Sequence, residues 1–151
     1  MPPVTAFKAE LPCARCKRLG TAWLHNKLGE AGRTYEVGDC PGDDIQLVDF
    51  EETCLPVRPF ESGKPIRVLL AWDCEHCRLG NLAEVVYADG CICSIEATQL
   101  TPQTLERVDC LYEDLDDIVE SLIDEPVRIG PRWRPDWLRL LRAALAAGRR
   151  W

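Results

Sequence analysis

Two cysteine pairs of the same form, "CARC" at 13–16 and "CEHC" at 74–77, limit what this chain can fold into more than any other feature. In each stretch the two cysteines are three positions apart, and a Leu-Gly pair follows. Together the two pairs supply four thiolates, which is the ligand set that Zn²⁺ takes in closed tetrahedral structural sites. The sequence therefore predicts one structural zinc site that joins distant parts of the chain. Its predicted ligands are Cys13, Cys16, Cys74 and Cys77.

Each cysteine pair is expected to lie in a tight turn, called a knuckle below, in which backbone N–H groups point at the sulfurs. Gly20 and Gly80 close the two stretches and are expected to relax these turns, because glycine adopts backbone angles that other residues avoid. His76 lies inside the second knuckle and is expected to face solvent. His25 could replace a cysteine ligand, although a place at the surface or the edge of the core is the favoured interpretation.

Redox chemistry is the main alternative for the second pair, because "IRVLLAWDCEHC" resembles the active-site pattern of thioredoxin-like thiol oxidoreductases. In that family the pair opens a helix, whose N-terminus lowers the thiol pKa. Here Gly80 and Asn81 follow, and then the β-branched Val85 and Val86, which favour a strand. The sequence also lacks the common hydrolase, phosphate-loop, dinucleotide and zinc-protease motifs. We therefore predict that the protein is not an enzyme.

The number of cysteines indicates in which cellular compartment the protein is expected. The chain has nine cysteines, an odd number, with no signal-peptide pattern and no apolar run long enough to span a bilayer. We expect a cytoplasmic protein whose cysteines are thiols or metal ligands, because disulfides are rare in reducing compartments. Cys91 and Cys93 are expected to project from one face of a strand into the core, with a second metal site as the alternative.

The first hundred residues predict short strands, among them "RTYEV", "IQLVDF" and "PIRVLLAW". The clearest signal is "LAEVVYADGCICSIEA", in which Asp89-Gly90 suits the two-residue turn of a β-hairpin. The predicted cross-strand pairs are Ala88 with Cys91, Val86 with Cys93, and Glu84 with Ile95.

From Thr101 onward the apolar residues recur with the period of a helix. Thr101 is a suitable N-cap and Pro102 suits the first helical position, so one long amphipathic helix is expected over 102–124. Its other face is dense in carboxylates. A second helix, "PDWLRLLRAALAAG", is predicted to end at Gly148.

The two knuckles, with the strand "RTYEVGD" between them, resemble the zinc-ribbon group, particularly small bacterial zinc-ribbon proteins with a β-rich insertion. We accordingly predict an α+β fold, in which a small antiparallel sheet with a zinc-ribbon-like four-cysteine site carries a long acidic helix and a C-terminal basic helix. The predicted division is a zinc-ribbon-like domain over 1–125, including the acidic helix 102–124, and an arginine-rich helical extension over 126–151.

Charge is distributed unevenly along the chain. The whole sequence carries −7, whereas residues 126–151 hold seven arginines against Asp136, which leaves −13 on residues 1–125. An acidic body repels phosphate backbones, which disfavours nucleic acid as a partner, and attracts basic proteins. The predicted partner-binding residues are Glu113, Asp114, Asp116, Asp117 and Glu120.

The acidic charge, the size and the predicted architecture of this chain also resemble those of bacterial immunity proteins, which neutralise a co-encoded toxin. The resemblance implies a non-enzymatic, zinc-stabilised inhibitor that docks its acidic helix on a basic, nucleic-acid-acting partner, with no role for a membrane. Two alternatives stay open. A nucleic-acid-associated zinc-ribbon protein would use the interleaved arginine and tryptophan of "RWRPDWLRLLRAALAAGRRW". A cysteine-dependent redox enzyme would use the second cysteine pair.

Overall fold

A computed structural model describes residues 4–130 and 132–151, and this part of the chain forms ten strands and four helices. The strands are β1 (Thr5–Pro12), β2 (Leu19–Asn26), β3 (Thr34–Tyr35), β4 (Cys54–Pro56), β5 (Ile66–Asp73), β6 (Gly80–Ala88), β7 (Cys91–Thr98), β8 (Cys110–Tyr112), β9 (Arg128–Ile129) and β10 (Arg132–Trp133). The helices are α1 (Leu47–Thr53), α2 (Pro102–Arg107), α3 (Asp116–Ile123) and α4 (Trp137–Ala146).

The strands form two mixed sheets and one short hairpin. The first sheet has the order β2-β1-β3, with β1 antiparallel to β2 and parallel to β3. The second has the order β4-β8-β5-β6-β7, in which only β5 and β8 run parallel. Strands β9 and β10 pair with each other. The predicted α+β class is confirmed, although β3 and β8 make the sheets mixed where an antiparallel sheet was expected.

The β6–β7 hairpin turns at Asp89-Gly90, as the sequence predicts. Both residues have positive φ, 53° and 77°, which two-residue turns between twisted strands require. Ala88 pairs with Cys91 directly beside the turn. The hairpin is therefore correctly predicted at its tip.

Beyond the tip, the predicted register of this hairpin is wrong. A β-bulge between Val86 and Tyr87 shifts the partner strand by one residue. Ile92 faces the core before the bulge and Ile95 faces it after the bulge, whereas Cys93 between them is exposed. The observed pairs are Val86 with Ser94, Val85 with Ile95, and Glu84 with Glu96.

The predicted helix over 102–124 begins as expected but is interrupted. The Thr101 hydroxyl accepts a hydrogen bond from the Thr104 N–H at 3.2 Å, so the N-cap is confirmed. Helix α2 nevertheless ends at Arg107. The Asp109 N–H donates to the Arg67 carbonyl at 2.8 Å, and the Asp109 carboxylate accepts from the Arg67 N–H at 2.8 Å. These bonds hold the next residues in the sheet and prevent a continuous helix.

Strand β8 occupies the middle of the interrupted segment and lies between β4 and β5. Its three residues are all buried, because neighbouring elements cover both faces of this part of the sheet. Successive side chains of a strand point to opposite faces, so a central strand that is covered on both faces buries all of them. Helix α3 then runs from Asp116 to Ile123 and ends at Asp124, whose φ of 56° breaks the helix.

The segment "IQLVDF", predicted as a strand, contributes most of helix α1. Gln46 and Asp49 form a reciprocal capping box, in which the Asp49 carboxylate accepts from the Gln46 N–H at 2.8 Å. Such caps satisfy backbone N–H groups that a helix leaves without partners. The alternating pattern of the sequence did not reveal this local signal.

Helix α4 ends as predicted. The Gly148 N–H donates to the Leu145 carbonyl at 3.0 Å, with φ of 86° at the glycine. Trp137, Leu141 and Leu145 belong to the same hydrophobic core as the sheets. The division of the chain at residue 125 stays a prediction. None of the helices in the described ranges combines the length and the apolar character that a membrane crossing requires.

We expect Leu111→Ala in β8 to lower the free energy of unfolding by about 3 kcal/mol, because it leaves a cavity at a fully buried position. Val48→Ala is the matched control, since this side chain of α1 is exposed. Urea unfolding at equilibrium measures both values. A loss at Leu111 no larger than that at Val48 would contradict the central position of β8.

Candidate metal centre

The two cysteine pairs lie in equivalent turns at the ends of two β-hairpins. Residues 13–18 join β1 to β2, and residues 74–79 join β5 to β6. In the first turn the Cys13 N–H donates to the Arg18 carbonyl at 3.0 Å, and in the second the Cys74 N–H donates to the Leu79 carbonyl at 3.0 Å. The second pair thus connects two strands and does not open a helix, unlike the thioredoxin-like arrangement.

The glycines after the knuckles do not relax the turns, so that prediction is wrong. Lys17 and Arg78 hold the left-handed conformation instead, with φ of 66° and 65°. Gly20 and Gly80 lie beyond the turns, where absence of a side chain allows close packing. A Cβ atom on Gly80 would lie 2.9 Å from the Trp151 ring, and one on Gly20 would lie 3.0 Å from a carboxylate oxygen of Glu75.

The four cysteine sulfurs that the sequence analysis grouped converge to within 4.8 Å of one another. The Sγ atoms of Cys13 and Cys77 are 3.7 Å apart, as are those of Cys16 and Cys74. Four sulfurs at about 2.3 Å from a central ion form a tetrahedron with edges of about 3.8 Å. The cluster therefore has the dimensions of a tetrahedral thiolate site and could hold a metal ion.

Backbone N–H groups point at the sulfurs, as the sequence analysis expects. The N–H groups of Arg15 and Cys16 lie 3.2 Å and 3.4 Å from the Cys13 sulfur, and the His76 N–H lies 3.3 Å from the Cys74 sulfur. Such bonds stabilise thiolates over thiols. Cys13 and Cys74 are buried, whereas Cys16 and Cys77 are partly accessible. The cluster thus has an inner and an outer pair of sulfurs.

The hydrogen bonds divide the thiols of the cluster into easily and poorly ionised groups. Burial opposes ionisation of Cys13, but N–H bonds from Cys16, Asn81 and Arg15 outweigh it and lower the pKa to about 6. At Cys77 the Leu79 N–H lowers the pKa, but burial and the neighbouring sulfurs outweigh that effect and raise it to about 11. Cys77 therefore retains its proton near neutral pH, and a divalent cation would have to displace it.

Neither histidine belongs to the sulfur cluster. His76 is exposed, as expected, and its Nε2 lies 3.1 Å from the Leu19 carbonyl of the first hairpin, so this side chain also bonds across the site. His25 is exposed on β2 and lines a groove beside the acidic residues. Within residues 4–130 and 132–151, the four cysteines are the one group that could hold a metal ion.

A disulfide between Cys40 and Cys91 contradicts the expectation that all cysteines are thiols or metal ligands. The loop carrying Cys40 returns to the tip of the β6–β7 hairpin, where the Gly38 N–H donates to the Ile92 carbonyl at 2.8 Å. No local pattern in the sequence indicates this approach. Cys91 is half-buried and Cys93 is exposed, so neither is the core residue that was predicted.

The predicted partner-binding carboxylates lie in the turn before α3 and in its first two turns, and three of them have partners within the chain. Arg128 lies 3.7 Å from Glu113 and 3.5 Å from Asp116. The Glu120 carboxylate accepts from the Val127 N–H at 3.1 Å. The remaining two, Asp114 and Asp117, are exposed. The acidic surface is thus smaller than the sequence suggests.

Asp114 lies in a groove of about 440 Å³, one wall of which includes His25 and Arg128. Asp114 is exposed as a residue, but its carboxylate is partly desolvated in the groove, and this desolvation, with repulsion from the carboxylates of Asp116 and Glu113, raises the pKa of Asp114 to about 7. Its ionised form is therefore disfavoured in the absence of a further cation.

No family model, no curated protein and no solved structure matches this chain.

We expect Cys74→Ser to abolish stoichiometric metal binding and to lower the thermal midpoint by about 10 °C, because one lost thiolate opens the tetrahedral site. Cys93→Ser is the control, since that thiol is exposed and lies outside the cluster. Elemental analysis and thermal unfolding of protein purified under reducing conditions measure both effects. Equal metal content in both variants would contradict the site.

We expect Asp114→Asn to stabilise the protein at pH 8, by about 1 kcal/mol or less because the side chain retains contact with solvent. Because the pKa of Asp114 is raised in the folded state, the unfolded state loses this proton at lower pH than the folded state does. The loss of folding stability caused by Asp114 therefore grows as the pH rises from about 4 to 7. The gain should vanish near pH 4. Urea unfolding at both pH values checks this, and an equal gain from Asp117→Asn would contradict it.

Proposed function

We propose that this chain is a non-enzymatic protein-binding module whose fold is stabilised by one Zn²⁺ ion at the four cysteines. The convergence of the four sulfurs carries the metal part of the proposal. Zinc is favoured because four thiolates in tetrahedral geometry suit a borderline-soft ion with no geometric preference of its own. A closed set of four protein ligands leaves no open position for substrate, which supports a structural role for the ion.

The partner is proposed to be a basic protein that docks at Asp114 and Asp117. Desolvation in the groove, with repulsion from the carboxylates of Asp116 and Glu113, disfavours the ionised form of Asp114. A lysine or arginine from a partner would offset the repulsion between these carboxylates, and this attraction would favour binding. The net charge of −7 would draw such a partner from a distance.

A nucleic-acid-acting protein is the kind of partner that this proposal favours, because its substrate groove carries positive charge. An acidic protein that fills such a groove blocks access of the nucleic acid. This is the action of an immunity or inhibitor protein, and a co-encoded toxin is the proposed target. We propose a cytoplasmic location, because only two of the nine cysteines form a disulfide and the other seven remain outside such bonds; fractionation of the source cells tests that compartment.

We expect the double variant Asp114→Lys, Asp117→Lys to lose at least ten-fold in affinity for the basic partner, because attraction becomes repulsion. The partner is to be isolated from the source cells by capture on the tagged wild-type chain and identified by mass spectrometry. The matched control is Glu51→Lys, Glu52→Lys, which reverses two exposed charges on α1. Undiminished capture by the first variant, or capture of acidic proteins, would remove the docking proposal.

A further inference from the structure

The two knuckles follow the same backbone path, but the side chains that follow them differ. The hydrogen bonds of the turns place Cys13 in correspondence with Cys74, 61 positions later in the chain. By the same offset Gly20 corresponds to Asn81. One hairpin therefore lacks a side chain where the other carries a buried amide.

The Asn81 side chain links the two knuckles, and it is only 4% exposed. Its Oδ1 accepts a hydrogen bond from the Ala14 N–H at 2.8 Å, and its Nδ2 donates to the Cys13 sulfur at 3.3 Å. The second Nδ2 hydrogen is directed at the Leu79 carbonyl, 3.1 Å away. The amide orientation is fixed, because the opposite one would direct an NH₂ group at the Ala14 N–H.

The corresponding contact on the other side of the cluster is weaker. Gly20 leaves room for the side chains of Glu75 and His76, which lie 3.0 Å and 3.2 Å from the position of a Cβ atom there. His76 reaches the Leu19 carbonyl but remains partly exposed, and its ring bonds no sulfur of the first knuckle. Within the described part of the chain, Asn81 is thus the one side chain of the second hairpin that hydrogen-bonds both the backbone and a sulfur of the first knuckle.

We propose that Asn81 is the positioning residue of the metal centre, which holds Cys13 and its turn against the second knuckle before an ion arrives. This inference rests on the proposed zinc site. It adds that Asn81 controls the affinity of that site for zinc. An outer-shell hydrogen bond of this kind typically changes metal affinity 10- to 100-fold. Because the amide is buried and already oriented, ordering of the first knuckle costs little free energy when metal binds.

The test compares Asn81→Gly and Asn81→Asp with Asn26→Asp. Glycine reproduces the residue that corresponds to Asn81 in the first hairpin, and so retains a backbone path that the fold already accommodates. Aspartate keeps the acceptor for the Ala14 N–H but replaces the donor to sulfur. Asn26 is the matched control, since it is a buried asparagine at the opposite end of β2, where it bonds only local backbone groups.

Zinc affinity is measured by competition with a chelator at fixed pH, and the sulfur-to-cobalt charge-transfer band is recorded after Co²⁺ replaces zinc. Both Asn81 variants should bind zinc 10- to 100-fold more weakly than wild type. Their charge-transfer band should move to longer wavelength, because the sulfur lone pairs lose the stabilising hydrogen bond. Asn26→Asp should change the affinity less than three-fold and leave the band unmoved, even where it lowers thermal stability.

Wild-type affinity and an unmoved band in Asn81→Gly would overturn the role of Asn81 while the zinc site stands. An equal loss in Asn26→Asp would also overturn it, since the effect would then follow general stability. Failure of the wild-type chain itself to bind zinc or Co²⁺ would refute the proposed metal site, and the role of Asn81 with it.

Discussion

Convergence of four cysteine sulfurs from two hairpins is the constraint on which the rest of the structure depends. Each hairpin belongs to a different sheet, and residues 27–65 lie between them in the chain. The knuckles join the two sheets at one end of each hairpin, and one hydrophobic core also contains residues of both sheets. In the absence of a cation, sulfurs 3.7 Å apart would repel one another once ionised. A divalent ion bound there would replace that repulsion with attraction and tie the two knuckles together.

Opposite charges that are separate in the sequence also pair within the fold. The sequence separates an acidic body from a basic C-terminal segment, but the fold brings them together. Arg128, Arg134 and Arg149 each lie within ion-pair distance of a carboxylate of residues 113–125. Exposed pairs of this kind contribute little to stability. They do neutralise part of the positive charge of the segment, and of the five carboxylates predicted to bind a partner, Asp114 and Asp117 are the exposed ones.

The sequence predicts those features that are set by local chemistry, such as the cysteine spacing, the Asp89-Gly90 turn and the Thr101 cap. Prediction from the sequence fails where contacts with distant parts of the chain determine the conformation of a segment. Strand β8 replaces part of a helix because β4 and β5 supply neighbours for it, and no local pattern records their approach. The Cys40–Cys91 disulfide depends on a returning loop in the same way. At the metal centre, an alignment of the two sequence motifs pairs Gly20 with Gly80, whereas the hydrogen bonds of the turns pair Gly20 with Asn81. A comparison of the motifs therefore does not identify Asn81 as the residue that links the knuckles.

X-ray absorption at the zinc K-edge tests the central claim most directly, because it reports the identity and distance of the atoms around the ion. Protein purified under reducing conditions with zinc present should show four sulfur neighbours at about 2.3 Å and no nitrogen or oxygen in the first shell. A mixed shell containing nitrogen or oxygen, or purified protein without bound zinc, would contradict the account.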